Sequence, residues 1–134
     1  MSQQLPRPTV SVMVPMRFRD LDAYGHVNNA TIFNYLEEAR IILLGEEFYN
    51  TPMNEVQFLV QRASCSYIHP ILLEPQLRID ISVVQLKMVS FVLEYSLINS
   101  SGTECARAET TMACFDPQRN RPIKIPKWFI ERFE

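Results

Sequence analysis

A chain of 134 residues that is 47% hydrophobic and 21% charged is sized and composed for one globular domain with a real core. Its formal net charge of −2 argues against a broad nucleic-acid footprint, which needs a concentration of lysine and arginine. It leaves room for a local basic patch facing one phosphorylated ligand.

The three cysteines, Cys65, Cys105 and Cys114, are odd in number and lack a Cys-x-x-Cys spacing, and His26 and His69 are the only imidazoles. Neither a disulfide framework nor a metal site is expected; free buried thiols in a reducing cytoplasm are the simpler reading. Residues 1–8 are polar, carry two prolines and read as a loose arm without the apolar run of a signal peptide. No stretch approaches the roughly 20 apolar residues that span a bilayer. The expectation is a cytoplasmic domain over residues 1–134 with no membrane span and no nucleic-acid partner.

A strand-like run begins at Val10-Ser11-Val12-Met13-Val14, and Pro15 marks a break or an edge position. From about Asn29 to about Glu47 the pattern is helical, with Ile32, Leu36, Ala39 and Leu43 on one stripe. Phe33, Tyr35, Ile42 and Leu44 widen that stripe, which predicts that most of the helix is buried. Asn28 or Asn29 can cap its start, and Gly45 or the Asn50-Thr51-Pro52 segment ends it. Residues 56–67, 76–88, 90–99 and 104–115 then read as strands, separated by His69-Pro70, Glu74-Pro75, Ser100-Ser101-Gly102 and Asp116-Pro117. The last three lie close in sequence, so an antiparallel meander is the simplest topology. Pro126-Lys127-Trp128-Phe129-Ile130 opens a short helical turn. The order strand, long helix, four strands predicts an α+β domain in which one antiparallel sheet wraps one buried helix.

The chemistry concentrates in residues 19–29, which set two carboxylates, an imidazole and two amides in a turn ahead of the long helix. A helix start offers unpaired N–H groups that can polarise a carbonyl, and a nearby carboxylate can attack that carbonyl or activate a water. Asp22 is equally able to make an Asx-turn. Asp20, two residues earlier, faces the other way in an extended segment and reads as structural. Gly25 permits a positive φ or a close backbone approach. Glu37 and Arg40 stand three apart on the helix, where an ion pair can form. Cys65 and Cys114 sit in apolar company and are expected to be inert.

The string Asp-x-Asp-x-x-Gly-His-Val-Asn-Asn at residues 20–29, followed by Tyr-Leu-Glu-Glu-Ala-Arg at 35–40, resembles the hotdog-fold thioesterases. The likeness is greatest to the 4-hydroxybenzoyl-CoA thioesterase-like acyl-CoA thioesterases; His-Val-Asn-Asn is shared with plant-type acyl-ACP thioesterases. Residues 102–108 and 116–126 also look like this family, so the resemblance covers nearly the whole chain. It implies a hotdog fold and hydrolysis of an acyl-CoA to a carboxylic acid and free coenzyme A, with the coenzyme entering only as part of the substrate. It implies Asp22 as nucleophile or general base, the backbone N–H at Asn29 as the oxyanion contact, and His26 as a residue near the reacting groups. Gly25 and Asn28 would shape the turn or touch substrate. Lys87 and Ser90, flanking a turn between strands, fall where the family often holds the nucleotide; Arg62, Arg107, Arg119, Arg121 and Lys124 are further candidates for its phosphates. Glu37 is a second candidate carboxylate, and Phe33 stands where the family often has Tyr. The resemblance also implies a homodimer or homotetramer. An acyl-ACP thioesterase, a hydratase on the same scaffold and a non-catalytic acyl-CoA-binding module are the alternatives.

Overall fold

The computed structural model describes residues 9–52 and 55–133; the expected N-terminal arm lies outside the described residues. In chain order the elements are β1 (Thr9–Pro15), a 3-10 turn (Phe18–Asp20), α1 (Asn29–Leu44), α2 (Glu46–Asn50), β2 (Gln57–Tyr67), β3 (Gln76–Leu86), β4 (Ser90–Ile98), β5 (Glu104–Asp116), β6 (Arg121–Pro122) and α3 (Lys127–Phe133). The strands form one antiparallel sheet in the order β1-β3-β4-β5-β2, with β6 on β5. The meander β3-β4-β5 is the expected one. β2 crosses to the far side of β5 and ends as an edge.

Strand periodicity explains the core. Alternate residues face one side of a strand, and here the inner set is apolar: Ile79, Ile81 and Val83 on β3, Phe91, Leu93 and Leu97 on β4, Ala106, Ala108 and Met112 on β5, all buried. The outer set is polar, with Ser11, Asp80, Ser96 and Arg107 paired in one row across four strands. α1 lies on the inner face and buries Ile32, Tyr35, Leu36, Ala39, Leu43 and Leu44.

The helix stops at Leu44, the Gly45 alternative of the two expected ends, because Gly45 takes φ +69° and separates α1 from the short α2. It differs from its sequence reading in two ways. Its burial is one-sided in the single chain, leaving Phe33 37% and Ile42 48% exposed. And no Glu37–Arg40 ion pair forms among the described residues. Instead Arg40 Nη1 reaches the sheet and donates to the Tyr95 hydroxyl at 3.3 Å, which shares a second hydrogen bond with Thr110 at 2.6 Å. A buried phenol needs such partners, and Arg40 is long enough to supply one.

The C-terminal helix closes the sheet end nearest the Leu44 end of α1. Phe129 stacks at 4.3 Å on Phe91 and 4.7 Å from Phe133, with Phe58 and Trp128 around them. Arg132 Nη1 donates to the carbonyl of Leu44 at 2.7 Å, satisfying one open acceptor at the end of α1.

Candidate active site

The segment between the 3-10 turn and α1 is knitted by its own side chains. Asp22 Oδ1 accepts the backbone N–H of Tyr24 at 2.8 Å and of His26 at 3.1 Å, while the Gly25 N–H donates to the Asp22 carbonyl at 3.1 Å. This is an Asx-turn, and it needs Gly25 at φ +78° to close. The turn uses one carboxylate oxygen; Oδ2 of Asp22 has no partner among the described residues. A structural use of Asp22 in the turn therefore leaves one of its oxygens uncommitted.

Asp20 faces the other way. Its Oδ2 accepts from the Tyr35 hydroxyl at 2.6 Å and from the Arg17 N–H at 3.0 Å, and its carbonyl accepts from the Asn28 N–H at 2.8 Å. Burial first, and then this bond to Asp20, raises the Tyr35 phenol pKa above its ordinary value. Asn28 is the N-cap of α1, its Oδ1 accepting the Ala30 N–H at 2.8 Å. That leaves the Asn29 N–H, at the first helical position, with no acceptor among the described residues. Helix starts of this kind favour developing negative charge.

The link from β2 to β3 forms a second wall. The Ile68 and His69 N–H groups both donate to the Cys105 carbonyl, at 2.8 and 3.0 Å, and the Ile71 carbonyl accepts the Val27 N–H at 2.8 Å. His26 and Leu72 form an antiparallel bridge. The Tyr67 hydroxyl lies 3.5 Å from the Asn29 carbonyl. Between these walls and the start of α1 is a cleft of about 320 Å³ lined by Asp22, His26, Asn29, Ile32, Tyr67, His69 and Cys105, among others.

The fold therefore gathers Asp22, His26 and Asn29 at one cleft, with Gly25 and Asn28 shaping its edge. Lys87 and Ser90 do flank a turn, the Lys87 N–H donating to the Ser90 carbonyl at 2.8 Å. That turn is at the other end of the sheet: Ser90 pairs with Ala113, and Tyr67 beside the cleft pairs with Ala106. One chain does not bring them to Asp22. Glu37 and Arg40 line a separate, mainly apolar chamber of about 290 Å³, with Phe58, Leu59, Phe91 and Met112 among its walls. Arg107 and Arg119 are paired with Glu104 and Asp116 on the surface.

Tyr67 and His69 are cleft residues that the sequence pattern did not single out. No motif announces them; they arrive through the β2–β5 register. The thiols have no electropositive setting that would activate them: burial raises the pKa of Cys65 and Cys105, and pushes that of Cys114 up to about 12. Among the described residues, no group of three or more His, Cys, Asp or Glu side chains could hold a metal ion, and no helix is long and apolar enough to cross a membrane.

A curled antiparallel sheet around a long helix is the hotdog architecture. The chain belongs to the thioesterase-like superfamily, whose family model matches residues 16–133. It is 26% identical over 124 residues to the acyl-CoA thioester hydrolase YbgC of Escherichia coli O157:H7, covering 90% of this chain and 92% of that protein. Among solved structures, the PA5185 protein of Pseudomonas aeruginosa superposes with a TM-score of 0.83 at 27% identity, covering 95% of this chain and 94% of that one. A thioesterase from Thermus thermophilus, complexed with coenzyme A and Zn, superposes with a TM-score of 0.76 at 31% identity, covering 91% of this chain and 89% of that one.

Proposed function

We propose that this protein is an acyl-CoA thioesterase that hydrolyses a thioester to a carboxylic acid and free coenzyme A. One observation carries the reading: Asp22, whose Oδ2 is unpartnered among the described residues, and Asn29, whose N–H is open there, line the same cleft. A thioester carbonyl oxygen set against the Asn29 N–H would have its developing negative charge met by a fixed donor, worth about 3–4 kcal/mol per donor in other enzymes. Asp22 then attacks the carbonyl carbon or activates a water against it. His26, whose backbone is tied to Asp22 in both directions, sets the turn and presents an imidazole to the cleft. Coenzyme A is part of the substrate, and the reading invokes no other cofactor. The named activity of the YbgC relative and the coenzyme bound to the Thermus thermophilus thioesterase support it.

The reading includes a homodimer formed along β2, with a homotetramer as the next assembly. Support comes from that edge: Leu59, Val60 and Tyr67 are 40–46% exposed on a strand that, among the described residues, is paired only on its β5 side. A long unpaired edge strand that exposes apolar side chains is ordinarily covered. A two-fold axis through the middle of β2 would set each cleft beside the opposite sheet end of the other copy. Lys87 and Ser90 could then reach the nucleotide of a substrate held by the second copy. Light scattering in solution tests the assembly, and a monomer at working concentration would exclude it.

The activity is tested by free-thiol release from a panel of short, medium, long and aromatic acyl-CoAs, comparing the wild type with Asp22→Asn. Asparagine keeps the Oδ1 acceptor that the turn needs. Turnover should fall by about 10²–10⁴-fold with substrate binding kept. Equal release by both proteins would remove Asp22 from the chemistry. Binding without release, from acyl-CoA and acyl-ACP alike, would point to a ligand-binding module.

A further inference from the structure

The chain's two imidazoles belong to different segments, yet both line the same cleft. His26 is in the turn that carries Asp22. His69 is on the β2–β3 link, where its own N–H and that of Ile68 are held by the Cys105 carbonyl and Pro70 follows, so its position is set by rigid backbone. Neither ring hydrogen-bonds to any described residue, which leaves both free to meet a substrate or a water. Apart from Asp22, the other polar groups facing the cleft are already committed or unsuited to moving a proton. Tyr67 contacts the Asn29 carbonyl, and the Cys105 thiol donates to the Thr103 carbonyl at 3.6 Å, its pKa raised by burial.

We propose that His69 is a further catalytic residue: the base that takes the proton of the hydrolytic water, with Asp22 as the nucleophile. The inference rests on the thioesterase reading and divides its two steps between two walls of the cleft. In the first step Asp22 Oδ2 bonds to the acyl carbon, the C–S bond breaks, and the thiolate leaves with the electron pair. In the second, a water oxygen bonds to the acyl carbon of the resulting anhydride as its proton passes to a ring nitrogen of His69. The bond to Asp22 Oδ2 then breaks, restoring the carboxylate and releasing the acid. The imidazolium returns its proton to the thiolate or to solvent. His26 is less suited to the second step because it shares the turn with the acylated Asp22, whereas His69 approaches from a separate segment.

The test is rapid-mixing measurement of thiol release with enzyme near stoichiometric with its best acyl-CoA. His69→Gln should release about one thiol per site in a burst and then turn over about 100-fold more slowly, because acylation is intact and water attack is not. Added imidazole should accelerate the slow phase of His69→Ala and leave its burst unchanged, a response that a purely structural residue does not give. His26→Gln should show no burst. Wild-type turnover in His69→Gln, or slow turnover with neither burst nor imidazole rescue, would overturn the proposal. Asp22→Asn separates the two levels of argument: if it still releases thiol at the wild-type rate, the thioesterase site itself is misassigned, whatever His69 does.

Discussion

The phenol of Tyr35 donates to Asp20 Oδ2 at 2.6 Å, and this contact fastens the middle of α1 to the segment that carries Asp22. It spans 15 residues of sequence and is partly buried. With the Arg17 N–H on the same oxygen and the Asn28 N–H on the Asp20 carbonyl, it fixes the Asp22 turn against the start of α1.

Tyr35→Phe tests that fastening. The substitution keeps the ring and removes the donor, so the expected loss is about 1.5–3 kcal/mol, the usual worth of a hydrogen bond to a charged group. Urea unfolding measures it through the midpoint, and an unchanged midpoint would show that the bond contributes nothing to the folded state.

Gly25→Ala tests the turn itself. At φ +78° a Cβ meets no atom within 4 Å, so the cost is backbone strain alone. About 1–2 kcal/mol is expected. Turnover should fall as well, because the strain is placed between Asp22 and His26. A variant as stable and active as the wild type would mean that the turn relaxes without penalty.

Alkaline pH should destabilise the fold. Burial raises the thiol of Cys114 to about 12 and raises the phenol of Tyr95. Burial and the Asp20 bond raise that of Tyr35. The unfolded chain ionises thiols near 8.5 and phenols near 10. Above those values it holds fewer protons than the folded chain, so the unfolding free energy falls as pH rises. The contribution is full below about pH 8.5 and is lost progressively as pH climbs toward the folded value near 12. Thermal unfolding from pH 8 to pH 11 should show a falling Tm, with a shallower slope in Cys114→Ala. Equal slopes would remove Cys114 from the account.

The aromatic cluster under α3 sets much of the stability of the sheet's far end. Phe129→Ala removes a fully buried ring that touches Phe91 and Phe133, and about 3–5 kcal/mol should be lost. Trp128, the one tryptophan, lies 5.9 Å from the Phe129 ring, and its emission should shift to the red as α3 loosens. A loss under about 1 kcal/mol would mean that the neighbouring rings collapse into the space.

Much of this architecture was legible in the chain because its signals are local. The stripe through Ile32, Leu36, Ala39 and Leu43 is a helical period, and Ile79, Ile81 and Val83 are a strand period; both sets are buried as expected. Asn28 as cap and the Asx-turn at Asp22 depend on atoms within four residues of each other. Where the helix reading failed, the reason was non-local. Whether Phe33 and Ile42 are covered depends on what packs on their side of α1, and Arg40 chose Tyr95, 55 residues away, over the nearby Glu37.

The sequence by itself determined the element order, the turn chemistry of residues 20–29 and the types of group available for catalysis, because dihedral preference and side-chain periodicity act over a few residues. Only the tertiary structure decided that β2 sits at the edge beyond β5, that Tyr67 and His69 close the cleft around Asp22, and that Lys87 and Ser90 stand at the other end of the sheet. Strand order and register come from the hydrogen-bond ladder and from the apolar face that must be buried on α1, and those constraints join residues too far apart for any local pattern to record.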